Sequence, residues 1–179
     1  MVEVSQKKKI AMVIAFRDFR DEEYFIPKQI LRGAGFEIDT VSDSSGIAIG
    51  KLGGEAKIDI LLEDLELAEY AAILFIGGSG AVKYIDNDIC HQIIKETIKQ
   101  NKVLGAICIA PLILARAGAL KGKRATVWSS SMDKSAVKDL EGSGAVFEKD
   151  SLVIDGKIIT ASGPIAAKDF ANAVISLIK

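Results

Sequence analysis

A single histidine, His91, is this chain's whole supply of imidazole, and only two cysteines, Cys90 and Cys108, accompany it. No Cys or His spacing suits zinc, and two thiols build no disulfide framework. The reading is a protein with no metal and no cofactor. Long apolar runs are also missing. None approaches the roughly 18 to 20 residues that a bilayer span requires, and Met1 to Ile10 contains no hydrophobic segment of secretory type. The expectation is a cytoplasmic protein with no membrane partner. An excess of charge of either sign is absent too: 23 Lys and Arg stand against 24 Asp and Glu, for a formal net charge of -1. That balance gives no electrostatic argument for a nucleic-acid partner. The cluster Lys7-Lys8-Lys9 is short and reads as a solvated strand entry. Repeats, linkers and low-complexity tracts are lacking.

What remains is ordinary globular stock, 179 residues with 49% hydrophobic and 26% charged. It fits one domain over residues 1–179 with a core large enough to need no staples. Hydrophobic period and punctuation alternate along the chain. Lys9 to Phe16, Glu37 to Ser42, Ala71 to Ile76, Val103 to Ile107 and Arg124 to Trp128 read as strands. Glu22 to Arg32, stopping at Gly33, reads as a helix, as do Asp86 to Gln100, Ile109 to Ala117 and Met132 to Leu140. Gly50, Gly53 and Gly54 interrupt Ile47 to Ile60 and suggest a small antiparallel excursion. Ser151 to Ile154 and Lys157 to Ala161 flank an Asp155-Gly156 hairpin turn, and Pro164 opens a last amphipathic helix to Ile178. Such alternation predicts an α/β fold: a doubly wound, mostly parallel sheet with helices on both faces.

The most informative stretch runs from Lys102 to Ala115. Its apolar, β-branched first half suits a strand buried on both faces, and Pro111 is tolerated only in a helix's first turn. Cys108 falls at the corner between them, a nucleophile elbow at the carboxyl edge of the sheet. A helix N-terminus there is expected to favour the thiolate. The plainer alternative is that Cys108 is a small buried hydrophobe.

Two other segments leave strands at the same edge. Gly77-Gly78-Ser79-Gly80 has no side chains at its first two positions, so its amides can approach a substrate and form part of an oxyanion hole, or the segment is a plain tight turn. Arg17-Asp18-Phe19-Arg20-Asp21-Glu22-Glu23 leads into the first helix, and most of its acids are expected to serve the helix N-terminus. Glu23 stands apart because Tyr24-Phe25-Ile26 follows it. A carboxyl drawn into a partly apolar cleft has its pKa raised and can donate a proton or hydrogen bond to the cysteine sulfur.

With Glu23 four residues before Pro27, Gly77-Gly78 after a main strand, Ala106-Ile107-Cys108-Ile109-Ala110-Pro111, and the late Thr160-Ala161-Ser162-Gly163-Pro164, the chain resembles the ThiJ/PfpI superfamily over its whole length. The resemblance implies a flavodoxin-like sandwich, usually a homodimer. It implies Cys108 as nucleophile, Glu23 as the acid bonded to it, and Gly78 and Ile109 as amide donors. Gly77 and Trp128 are expected to wall the pocket. Two departures matter. Where similar proteases carry His after the cysteine this chain has Ile109, and where the deglycase branch carries His after the next strand it has Trp128. His91 is the one candidate base, and its plainer reading is an exposed helical residue.

A Cys-His-Glu peptidase or amidase is therefore disfavoured, and so is a glutamine amidotransferase, which wants His downstream of the cysteine. Nucleotide binding lacks its Gly-rich loop after the first strand. A phosphoacceptor domain lacks its Asp where Gly77 stands. Two readings survive. One is a glyoxalase- or deglycase-like enzyme in which Cys108 adds to a small reactive carbonyl. The other is a redox-sensing or stress-response module in which Cys108 is oxidised without turnover.

Overall fold

A computed structural model describes residues 7–179; the first six residues of the Met1 to Ile10 segment lie outside the described part. Among the described residues, twelve strands and five α-helices follow one another. The strands are β1 Lys9–Val13, β2 Arg17–Phe19, β3 Glu37–Ser42, β4 Ile47–Gly50, β5 Glu55–Lys57, β6 Ile60–Leu61, β7 Tyr70–Phe75, β8 Val103–Ile107, β9 Arg124–Ala125, β10 Val146–Phe147, β11 Leu152–Asp155 and β12 Ile158–Ala161. The helices are α1 Asp21–Gly33, α2 Asp88–Lys99, α3 Pro111–Arg116, α4 Ser135–Gly142 and α5 Ala167–Ile178.

The main sheet has seven strands in the order β11-β12-β8-β7-β1-β3-β6. All its neighbours run parallel except the β11–β12 hairpin, which pairs Leu152 with Ala161 antiparallel. Because side chains alternate along a strand, each central strand feeds two cores. Ala11, Val13, Ile73, Phe75, Leu104 and Ala106 pack on the α2, α3 and α4 side. Ile10, Met12, Ala72, Leu74, Val103 and Ile107 pack toward α1 and α5. This is the doubly wound sandwich that the alternating pattern predicts.

Two differences from the expected strands share one cause: apolar runs outlast the hydrogen-bonded ladder. The first strand stops at Val13, yet Ile14 and Ala15 remain fully buried. The expected Arg124 to Trp128 strand pairs only over Arg124–Ala125, parallel to β10 and outside the main sheet. Part of the acidic segment is itself a strand, β2, which pairs with β4 beside the predicted β4–β5 excursion. The α3 helix begins at Pro111 rather than Ile109, with residues 108–110 forming a turn before it.

Candidate active site

The carboxyl ends of β1, β7, β8 and β12 meet where the chain turns from strand to helix. At the end of β8, Cys108 adopts φ of 66°, a left-handed conformation that costs a side-chain-bearing residue on the order of 1–3 kcal/mol and persists only where its surroundings enforce it. Here two neighbours do. Cys108 N–H donates to Ala161 O at 2.8 Å, and Cys108 O accepts from Trp128 N–H at 2.8 Å. The corner is thus clamped between the end of β12 and the segment after β9.

Glu23 reaches this corner from the first turn of α1. It is wholly buried, and its Oε2 accepts from Gly77 N–H at 3.0 Å. Oε1 is also buried and has no hydrogen-bond partner. Since Oε2 is taken by an N–H, a proton on this carboxyl resides on Oε1. The carboxyl lies beside Cys108, close enough that each group acts on the other's ionisation, and the backbone amides of Gly78 and Ile109 also bear on the sulfur.

The first-turn acids do not cap the helix, contrary to expectation. Its N-cap is Arg20, with no side-chain cap. Asp21 instead accepts from Leu52 N–H at 2.8 Å and Gly54 N–H at 2.7 Å, holding the β4–β5 turn. Glu22 pairs with Arg20 at 2.8 Å. Each acid has its own tertiary or local partner, so the helix is positioned by its acids rather than merely started by them.

Gly77 and Gly78 have different duties. A Cβ on Gly77 would fall 2.5 Å from both Cys108 Cβ and Glu23 Oε2, so a bare backbone is needed for the two to meet. Gly77 is itself buried, which makes it the spacer between acid and thiol rather than the pocket wall expected of it. Gly78 has φ of 108° and abuts the β2–α1 connection, where a Cβ would strike Asp18 O and Arg20 N.

Electrostatics depart from the expected thiolate. Burial drives Glu23 up to about 7, against the lowering pull of the neighbouring Cys108 thiol, the Gly77 hydrogen bond and the Arg20 charge. Cys108 is partly exposed, but desolvation by the surrounding protein and the adjacent Glu23 charge push its thiol up to about 12, outweighing the amides of Gly78 and Ile109. The short α3, six residues beginning three positions after the sulfur-bearing residue, does not reverse this balance. Both groups are thus shifted toward their neutral forms. Cys90, buried on α2, is likewise raised to about 12 by desolvation.

Arg20 is the functional candidate that the sequence left unassigned. Its backbone N–H donates to Gly77 O at 2.9 Å, and its side-chain charge acts on both Glu23 and Cys108. The available signal was its position three residues before Glu23, one helical turn away. His91 is not brought to the pair. It is half-buried on α2 rather than exposed, its Nε2 lies 2.7 Å from Ile85 O, and among the described residues no hydrogen bond links it to Cys108 or Glu23. Trp128 lines a cleft of about 540 Å³ with Val127, Phe147, Ser162 and Gly163. Among the described residues no group of three or more His, Cys, Asp and Glu is placed to hold a metal ion, and no helix is long and apolar enough to cross a membrane.

Comparison with known proteins follows the same lines. The model of the DJ-1/PfpI family matches residues 8–177. An uncharacterized protein of Methanocaldococcus jannaschii is 39% identical over 172 residues, covering 96% of this chain and 82% of its own length. The deglycase PfpI of Pyrococcus furiosus is 24% identical over 168 residues, covering 94% of this chain and 98% of its own. The crystal structure of a ThiJ/PfpI domain protein from Brachyspira murdochii superposes with a TM-score of 0.90 at 32% identity, over 97% of this chain and 98% of that one.

Proposed function

Because the chain belongs to the DJ-1/PfpI family, we propose that it is a cysteine-dependent enzyme acting on small reactive carbonyls of the methylglyoxal type. The reading rests above all on Glu23, a buried carboxyl raised to about 7 and standing beside Cys108 across Gly77. A base of that strength suits general acid–base work near neutral pH without an imidazole. The name of the Pyrococcus furiosus relative, a deglycase, supports the substrate class.

As Cys108 Sγ attacks the aldehyde carbon, Glu23 carboxylate takes the thiol proton, an S–C bond forms and the carbonyl π bond breaks. The amides of Gly78 and Ile109 stabilise negative charge as it develops, provided the oxygen lies within about 3 Å of them. Glu23 then returns the proton to that oxygen, giving a hemithioacetal. For methylglyoxal, Glu23 next removes the hydrogen from the former aldehyde carbon. The resulting enediol is reprotonated at the neighbouring carbon, leaving a lactoyl thioester. Water cleaves the thioester to lactate and restores the thiol, so the net change is addition of one water.

The test is methylglyoxal loss with lactate formation in thiol-free buffer, comparing the intact protein with Cys108→Ser and Glu23→Gln. Lactate formed by the intact protein and lost in both variants supports the reading. Lactate unaffected by either substitution overturns it.

The unpartnered Glu23 Oε1 favours one second reading, the redox module. Two equivalents of hydrogen peroxide, each reduced to water, convert Cys108 to a sulfinate that a proton on Oε1 can hold by a hydrogen bond. Peroxide oxidation of Cys108 far ahead of Cys90, with no lactate formed, is the result that selects it.

A further inference from the structure

The cleft beside Cys108 carries a charge pattern that the carbonyl reading does not use. Cys108 does not itself line it, but the two segments that clamp the cysteine backbone do: Trp128, whose N–H donates to Cys108 O, and Ser162, which follows the Ala161 that accepts from Cys108 N–H. Trp128, Val127 and Phe147 supply apolar walls, while Ser129 and Ser162 supply hydroxyls. Two cations, Lys134 and Lys149, line it as well, and no Asp or Glu does. Neither lysine makes a salt bridge among the described residues. Lys134 Nζ has only Ser129 Oγ, at 3.4 Å.

Two ammonium groups without salt-bridge partners along one concave, partly apolar surface favour a positive potential there. On a chain whose formal net charge is -1, that field is local and cannot be ascribed to overall basicity. Since 540 Å³ lies within the range that takes small-molecule ligands, the occupant the cleft suits is small and anionic.

We propose that this cleft is an anion-anchoring subsite. Lys134 and Lys149 hold a carboxylate or phosphoryl group while Cys108, under the carbonyl reading given above, takes the reactive end of the same molecule. The substrate class narrows to small carbonyl compounds that bear a negative group, and neutral dicarbonyls bind without the anchor.

A pair of alkylating reagents that differ mainly in charge tests this without any need for turnover. In each, the Cys108 sulfur displaces iodide from carbon. The readout is the Cys108 alkylation rate by mass spectrometry for iodoacetate and for iodoacetamide, with intact protein and the Lys134→Gln/Lys149→Gln double variant. A positive subsite gives iodoacetate an advantage that falls roughly three- to tenfold in the double variant and shrinks with added salt. The iodoacetamide rate, unchanged between the two proteins, shows that the thiol and the fold are intact. Protection of Cys108 by lactate marks a carboxylate ligand, and protection by inorganic phosphate a phosphoryl one. An iodoacetate to iodoacetamide ratio that is the same in both proteins, with no protection by either anion, overturns the proposal. Loss of lactate production in the earlier assay with this ratio intact would instead remove the carbonyl chemistry and leave the anion site standing.

Discussion

Glu23 and Cys108 meet across Gly77, the one position whose missing side chain leaves them room: a Cβ there would stand 2.5 Å from each. The carboxylate end cannot yield freely, because its Oε2 is fixed by Gly77 N–H itself at 3.0 Å. Gly77→Ala therefore forces Glu23 or the β8 corner to move. It is expected to abolish carbonyl turnover and to cost about 1–3 kcal/mol of stability, the usual range for overpacking a tight interior. Urea unfolding together with the lactate assay reads both. A stable and fully active variant would mean that the acid and the thiol do not need this contact.

Removing the charge from Glu23 has a stability effect with a definite sign. Its carboxyl ionises near 4.5 in the unfolded chain and about 7 in the fold. A raised pKa means that the fold favours the protonated form, so this contribution is fully present below about 4.5 and is lost as pH rises through about 7. At pH 8 the intact protein buries a carboxylate at a cost of up to about 3 kcal/mol, taking 1.36 kcal/mol per pKa unit. Glu23→Gln, which keeps an oxygen for Gly77 N–H, should be more stable than the intact protein at pH 8, with the gap closing toward pH 5. Unfolding curves at the two pH values check this. A gap that is constant with pH would show that the carboxyl is not desolvated.

Activity should carry the same group's signature in the opposite sense. If Glu23 accepts the thiol proton, turnover rises as pH increases through about 7. The Arg20 charge lowers the Glu23 pKa, so Arg20→Gln should move the midpoint of the profile to higher pH. A uniform loss of rate without a moved midpoint would assign the Arg20 side chain to its pair with Glu22 at the helix start instead.

Much of this arrangement was legible in residue order. Glu37 to Ser42 and Val103 to Ile107 emerge as strands with the expected bounds, because burial and ladder pairing end together there. Pairing ends first at Ile14 and Ala15, so an apolar run overstated the first strand: hydrophobicity reports burial, while strand length depends on where a neighbouring backbone stops. The meeting of Glu23, Gly77 and Cys108 followed from three strand-to-helix corners on one sheet edge. What spacing could not show was the balance at the sulfur. Helix termini and amides argue for a thiolate, but the density of protein around Cys108 decides, and that density comes from segments distant in sequence. The tertiary ties of Asp21 to Leu52 and Gly54 were hidden for the same reason.

His91 provides the sharpest check on whether this chemistry dispenses with imidazole. Its Nε2 lies 2.7 Å from Ile85 O, a carbonyl that can only accept, so the ring carries its hydrogen on that nitrogen and ties the entry to α2. Losing such a bond at a half-buried site typically costs about 1 kcal/mol. His91→Ala is expected to lower stability by that amount and to leave both the rate of lactate formation and its pH profile unchanged. Removal of the only imidazole in the chain would then leave Glu23 as the group that titrates near 7 in the assay. A rate lost with His91, in a protein still folded by circular dichroism, would return the base to the histidine and require that α2 come to Cys108 from a second copy of the chain.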